Sequence, residues 1–212
     1  MFYLIGGAPR TGKTTLAKNL SKESGVPWIS TDTLESIVST YVSKTDFPHL
    51  FPKAIIRKET GGSNDSMYSE YSSQEIVNAY LSQSKAVWKA IEMFLAVEDK
   101  QDHSYILEGY HIHPELIKRF ELSFPTKTRA VFLGRSHVPT IVKSATENAP
   151  PGDWFTGKTS SNETYPKIAA MLALFSAHIE AQANECGLAY FNVDDDFQGT
   201  LNRAQRACLG LS

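Results

Sequence analysis

An α/β architecture, a five-stranded parallel sheet between two layers of helices, follows from three features of this 212-residue sequence. Short apolar runs alternate with longer segments whose apolar residues recur at helical spacing. No repeat and no interdomain linker interrupts the alternation, so residues 1–212 read as a single domain. A glycine-rich turn directly follows the first apolar run, at the carboxyl end of a strand, where parallel sheets bind their ligands.

Phe2 to Ile5 is the first strand. Thr14 to Glu23 is a helix with Leu16 and Leu20 on one face, stopped by Gly25 and Pro27. Pro27 to Ser30 is the second strand, and Asp32 to Lys44 a helix carrying Leu34, Ile37, Val38 and Tyr41 in register. Residues 45–72 break the pattern. Phe47, Leu50, Phe51, Ile55 and Ile56 lead into a run from Glu59 to Ser66 that contains Gly61-Gly62, and the segment reads as a mobile insert or an acceptor-side region. Ser72 with Glu75 forms a capping box that opens a long helix to about Val97. Ser104 to Leu107 is the third strand, Pro114 to Phe120 a short helix, Thr128 to Leu133 the fourth strand, and 137–147 another helix. Ala149-Pro150-Pro151-Gly152 ends it, and a polar loop runs to Thr164. Tyr165 to Asn184 is helical, Leu188 to Val193 is the fifth strand, and a last helix aligns Phe197, Leu201, Ala204 and Cys208.

The composition narrows the partners. A net charge of −2 and the lack of a long basic run give no electrostatic reason for nucleic acid or an anionic membrane to bind. The longest apolar stretch, Ile168 to Ala177, is too short to span a bilayer. The start, Met1-Phe2-Tyr3-Leu4-Ile5, has no basic segment and does not read as a signal peptide. Cys186 and Cys208 lack metal-ligand spacing and read as reduced, buried residues of a cytoplasmic protein. Oligomeric state leaves no mark on the sequence.

The glycine-rich turn reads Gly7-Ala8-Pro9-Arg10-Thr11-Gly12-Lys13-Thr14, followed by Thr15. This is the P-loop pattern. Glycines let the backbone turn tightly and aim its N–H groups at phosphate oxygens, and the helix that follows directs its positive end there. Lys13 reaches the β- and γ-phosphates, and the Thr14 hydroxyl is a ligand for Mg²⁺. The fold expected is therefore the three-layer P-loop NTPase fold with a lid, and the nucleotide is ATP, since no Asn-Lys-x-Asp guanine motif occurs.

Acids follow two strands. Asp32, in Ser30-Thr31-Asp32, lies 19 residues beyond Lys13, where sheet geometry brings it beside the γ-phosphate. There it accepts a proton from an acceptor hydroxyl or holds Mg²⁺ through water. With Glu35 it also looks like a capping-box start. Glu108 ends the run Tyr105-Ile106-Leu107 and suits a Mg²⁺-organising carboxylate, or simply an acid entering the turn at Gly109. Tyr110, His111 and His113 follow. No third metal ligand is evident beside the two histidines, so they read as acceptor contacts or hydrogen-bonded loop residues, with His113 at the cap before Pro114.

Residues 135–164 are the lid candidate. Arg135, after the fourth strand, is the best-placed mobile cation to close over the transferring phosphate, the alternative being a surface arginine. Arg10 reaches the acceptor side. Trp154 and Phe155 either dock the lid or stack on substrate. Asp194-Asp195-Asp196 reads as a helix start whose backbone borders the adenine.

The stretches Ile5 to Thr14, Ser30-Thr31-Asp32 and Ile106-Leu107-Glu108-Gly109-Tyr110-His111-Ile112-His113-Pro114 together resemble the P-loop small-molecule kinases, in particular the bacterial 2-phosphoglycerate kinase and adenylate-kinase-like group. The last stretch is similar to that group's Glu-Gly-x-His-x-x-Pro segment. The resemblance implies an ATP- and Mg²⁺-dependent kinase acting on a small hydroxyl-bearing metabolite. Lys13, Asp32 and Arg135 would be catalytic, and Thr14, Glu108 and Asp32 would organise the metal. Arg10, Asp32, Glu108, Tyr110, His111 and His113 would face the acceptor. Two alternatives stay open: a nucleotide or nucleotide-sugar kinase of the zeta-toxin kind, and an ATP-binding switch that acts on a protein partner.

Overall fold

The computed structural model describes residues 1–123, 127–150 and 152–211; Pro151 of the expected Pro-Pro break lies outside them. Its sheet has strands β1 Phe2–Gly7, β2 Trp28–Ser30, β3 Tyr105–Glu108, β4 Thr128–Gly134 and β5 Ala189–Asn192. They pair in parallel in the order β2-β3-β1-β4-β5, as the alternation of strands and helices requires. The helices are α1 Lys13–Ser24, α2 Thr31–Tyr41, α3 Phe47–Leu50, α4 Pro52–Glu59, α5 Asn64–Glu70, α6 Ser73–Lys100, α7 Pro114–Ser123, α8 Val138–Glu147, α9 Trp154–Gly157, α10 Thr164–Glu185 and α11 Phe197–Leu209.

Side chains of β1 alternate between two cores. Leu4 joins the larger one, with Phe132, Trp88 and Ile91 of α6 and Phe175 and Ile179 of α10. Ile5 joins the smaller one, with Leu16 and Leu20 of α1 and Leu201 and Cys208 of α11. Each of these buried side chains contributes about 1.5–3 kcal/mol by leaving water. Both faces of the sheet are covered, so the ends of the strands are where ligands can approach. Cys208 is buried, Cys186 is half-buried, and both are free thiols. Among the described residues no helix is long and apolar enough to cross a membrane.

Ser72 caps α6 in the expected box: its hydroxyl accepts from the Glu75 N–H at 3.3 Å, and Glu75 Oε2 accepts from the Ser72 N–H at 2.8 Å. At α2 the expectation needs correction. Ser30, not Asp32, is the N-cap, its hydroxyl accepting from the Asp32 N–H at 3.3 Å. The helix starts one residue earlier than the charge pattern suggested, which leaves the Asp32 carboxylate without the capping role and exposed.

Residues 45–72 are not an irregular insert. They form α3, α4 and α5, with Ile56, Met67 and Tyr68 buried in the larger core. Within the run that reads as flexible, Gly61 and Gly62 adopt φ of 61° and 76° and turn the chain from α4 into α5. Ser63 then caps α5, accepting from the Ser66 N–H. The helices are too short for their periodicity to stand out on either side of the Gly61-Gly62 turn.

Candidate active site

β1 delivers the chain into the P-loop, and Gly12, at φ 91°, turns it into α1. A β-carbon on Gly12 would also run into the Phe197 ring, so glycine is required there for two reasons. The loop braces itself: the Thr11 hydroxyl and the Lys13 ammonium both donate to the Ala8 carbonyl, at 2.8 and 2.6 Å. Lys13 is 7% exposed. Burial pulls its pKa down, and the carboxylates of Glu108 and Asp32 oppose that pull. Arg10 is held at a positive φ of 61°. Its guanidinium pairs with Asp153 and lies 5.2 Å from the centre of the Phe155 ring, so it ties the P-loop to the segment after α8.

Three clefts meet at this loop. The largest, about 750 Å³, runs along Gly12, Lys13, Thr14 and Thr15 to Arg135 and Phe197. A second, about 360 Å³, shares Arg10, Lys13 and Thr14 with it and continues to Asp32 and Glu108. A third, about 440 Å³, continues from Asp32, Tyr110 and Trp154 to Lys53, Arg57 and Lys158. They form one trough with the P-loop lysine between its two ends.

Arg135 lines the large cleft but is neither unpaired nor on the surface. It is 7% exposed; Nε donates to Asp194 at 3.0 Å and Nη1 to the Ser144 hydroxyl at 2.6 Å. Asp194 also accepts from the Ser136 and His137 N–H groups at 2.6 and 2.8 Å. Despite partial burial, these donors keep its pKa below the usual carboxylate value. Within the acidic run, Asp196 caps α11 and Asp194 anchors Arg135; Asp194 and Asp195 both border the cleft.

The Asp32 carboxylate is 69% exposed and opens onto the trough. Behind it lies a network that the sequence did not disclose, centred on Glu35. Glu35 accepts from Lys53 at 3.2 Å, Tyr110 at 2.7 Å and His111 Nε2 at 2.8 Å, and also from Gln83. Burial would raise its pKa, yet the His111 hydrogen bond, the Lys53 charge and the Tyr110 hydroxyl prevail and hold it at about 2. The ionised carboxylate only accepts, so His111 Nε2 carries a proton. Burial lowers the pKa of His111 and keeps it neutral, so Nδ1 accepts from the Thr31 hydroxyl at 2.8 Å. Gly109 makes this possible, since a β-carbon there would collide with Thr31 Oγ1. Asp32, Glu35 and His111 sit close enough to suggest a metal site. The Glu35 oxygens are already engaged by protein donors, His111 Nε2 donates to Glu35 and Nδ1 accepts from Thr31, and Lys53 supplies the positive charge, so the cluster is complete as an ion-pair network.

The remaining candidates separate. Tyr110 borders both smaller clefts, and its hydroxyl bonds Glu35, which with burial pushes its pKa far up. His111 is fully buried behind Asp32. His113 lies in the core between Trp88 and Phe175 and lines none of the three clefts; its Nε2–H bonds the Tyr110 carbonyl at 2.9 Å, and burial lowers its pKa to about 3. Trp154 and Phe155 divide the roles offered to them: Phe155 is buried and stacks on Tyr165, whereas Trp154 borders both smaller clefts.

The segment carrying them is fastened to α5. Asn64, fully buried, donates to the Trp154 carbonyl and the Thr159 hydroxyl, each at 2.8 Å, and accepts from Arg57 at 2.6 Å. Asp65 accepts from the Ser160 N–H, the Ser161 N–H and the Thr164 hydroxyl.

As to Mg²⁺, the oxygens of Thr14, Asp32 and Glu108 border one cleft beside a buried lysine. Hydroxyl and carboxylate oxygens are the donors this hard cation prefers, so the residues fit it.

Strand order, P-loop and trough together define a protein with the P-loop kinase fold. A gluconokinase from Sinorhizobium meliloti superposes with a TM-score of 0.55, at 14% identity, over 98% of this chain and 91% of its own. A sugar kinase from Janibacter sp. gives 0.56 at 11% identity over 100% and 95%. A shikimate kinase from Bacteroides thetaiotaomicron gives 0.50 at 14% over 100% and 99%. By sequence, the chain is 25% identical to a 2-phosphoglycerate kinase of Methanopyrus kandleri over 126 residues, 59% of this chain and 37% of that protein. It is 27% identical to an uncharacterized Dictyostelium discoideum protein over 124 residues, 58% of this chain and 14% of that protein. The matched regions thus span well under half of these two relatives. No family model matches the chain.

Proposed function

We propose that the protein is an ATP-dependent phosphotransferase that moves the γ-phosphoryl group to a hydroxyl of a small metabolite. The observation that carries this reading is the continuity of the clefts. The middle cleft shares Lys13 and Thr14 with the large one and Asp32 with the one that runs to Lys53 and Arg57. A nucleotide in the first and an acceptor in the last would meet at Lys13. A pure ATP-binding switch has no need of a second cleft opening onto its P-loop lysine.

The P-loop N–H groups and Lys13 would hold the phosphates, and Lys13 would offset the charge that builds on the transferring group. Arg135, locked by Asp194, presents a fixed cation beside the same cleft and loses no ordering entropy when nucleotide enters. Asp32 orients the acceptor hydroxyl and takes its proton. Bound magnesium would neutralise phosphate charge; Thr14 and Glu108, with Asp32, are the residues to hold it. The test is ADP release with Mg-ATP across sugars, glycerate derivatives, nucleotides and antibiotics. One acceptor class is expected to raise the rate well above background hydrolysis. No binding at millimolar ATP in calorimetry would overturn the reading.

A further inference from the structure

We infer that the acceptor end of the trough is an oxyanion subsite built by Arg57 and Lys158 over Trp154, so that the acceptor carries a carboxylate or phosphate group away from its reacting hydroxyl. This rests on the kinase reading for its role, though not for its existence. The three cations lining that cleft differ in how their charge is met. Lys53 is answered by Glu35 at 3.2 Å. Arg57 makes only neutral contacts: Nη1 donates to Asn64 Oδ1 at 2.6 Å and to the Gly62 carbonyl at 3.5 Å. Its Nε and Nη2 have no acceptor among the described residues, and its guanidinium lies 5.7 Å from the centre of the Trp154 ring. Lys158 forms no ion pair among the described residues.

A guanidinium braced on one nitrogen by an uncharged amide, laid on an indole and left with two adjacent N–H donors is arranged for a planar or tetrahedral oxyanion. A structural arginine in a cleft ordinarily finds a carboxylate; here the nearest chain supplies an amide in that place. Asn64 also fixes the Trp154 carbonyl at 2.8 Å, so one buried side chain sets both the cation and the surface beneath it. Asp32, the acid of the cleft, also borders the cleft that holds Lys13, whereas Arg57 and Lys158 do not, so Asp32 lies toward the P-loop end. An acceptor with its hydroxyl at Asp32 and an anionic group at Arg57 matches this polarity, whereas the reverse orientation sets anion against carboxylate.

The experiment fills the nucleotide cleft with a non-hydrolysable ATP analogue and Mg²⁺, then titrates inorganic phosphate and, separately, malonate. The readout is the Trp154 indole N–H in ¹⁵N spectra, assigned with a Trp154→Phe variant. Saturable shifts at Trp154, absent at the core residue Trp88, are expected with at least one anion; the tighter of the two distinguishes phosphate from carboxylate recognition. Arg57→Gln should weaken that binding at least tenfold, and Lys158→Gln, a change at an exposed site that leaves folding alone, about threefold. Lys58→Gln, the same charge change one residue along on the exposed face of α4, should leave it unchanged. No saturable shift with either anion, or equal affinity in Arg57→Gln, overturns the subsite. Separately, anion binding at Trp154 without acceptor-stimulated ADP release would sink the kinase reading and leave the subsite standing. Equal stimulation by neutral and anionic acceptors, unchanged in Arg57→Gln, would do the opposite.

Discussion

Replacing Glu35 with glutamine tests whether the acceptor side of the trough is organised by one ionised carboxylate. Glu35 is held at a pKa of about 2 against an ordinary 4.5, against the opposing effect of its burial, by His111, Lys53 and Tyr110. With each tenfold change in proton affinity worth about 1.4 kcal/mol, the network favours the folded protein by about 3 kcal/mol at neutral pH. The side chain is 16% exposed, and screening by solvent reduces that to about 2 kcal/mol. The sign follows from a lowered acid pKa. The contribution is complete above the unfolded value of 4.5 and disappears as pH falls through about 2. Roughly two fifths of it remains at pH 3. Urea unfolding of wild type and Glu35→Gln at pH 7, 5 and 3 measures this directly. The variant should be about 2 kcal/mol less stable at pH 7 and 5, and the gap should narrow at pH 3. Because Lys53 and Tyr110 lose their anchor, KM for the acceptor should rise while nucleotide affinity holds. A gap that stays constant from pH 7 to 3, or no gap at all, would refute the reasoning that Glu35 acts through its charge.

Three other outcomes are expected. Lys13→Ala should cost at least about 3 kcal/mol in transition-state stabilisation, seen as a 10²-fold or greater loss of acceptor phosphorylation. Its melting temperature should not fall, because the change removes a buried ammonium whose burial is only partly compensated. Asp32→Asn should fold normally and turn over about 10² to 10⁴-fold more slowly. Asp32→Ala should now be equally stable, since Ser30 provides the cap; wild-type turnover in either variant would remove Asp32 from the chemistry. Asn64→Ala should lose about 2–3 kcal/mol, leaving buried partners unsatisfied. Hydrogen exchange should then quicken in residues 154–164, and unchanged protection there would mean that Asn64 does not fasten the segment.

The P-loop was legible because its chemistry is written in eight consecutive residues, each needed for its own backbone or side-chain task. Strands and long helices were legible for a related reason. The periodicity of β1, α6 or α10 is repeated often enough within one element to be read without its neighbours. Asp32 and Glu108 could be placed beside Lys13 because parallel strands with helical crossovers bring their carboxyl ends to one edge. Where the reading failed, the deciding partner was distant. Arg135 looked like a free cation until Asp194, 59 residues away, met it at 3.0 Å. His113 shares a short motif with Tyr110, yet one turn of backbone sends it into the core beside Trp88.

By itself, then, the sequence determined the parallel α/β sheet, the phosphate cradle and which strand ends border it, since these depend on local pattern and on a connection rule that any such chain obeys. Only the tertiary structure decided that residues 45–72 are helices lining one end of the trough, that Glu35 is the hub of the network beside it, and that Asn64 and Asp65 fasten this end to the segment after α8. Those roles rest on hydrogen bonds between residues 76 to 99 positions apart. A polar side chain carries no periodic signal of which distant donor or acceptor will satisfy it, and that choice is made only when the packed core brings the two together.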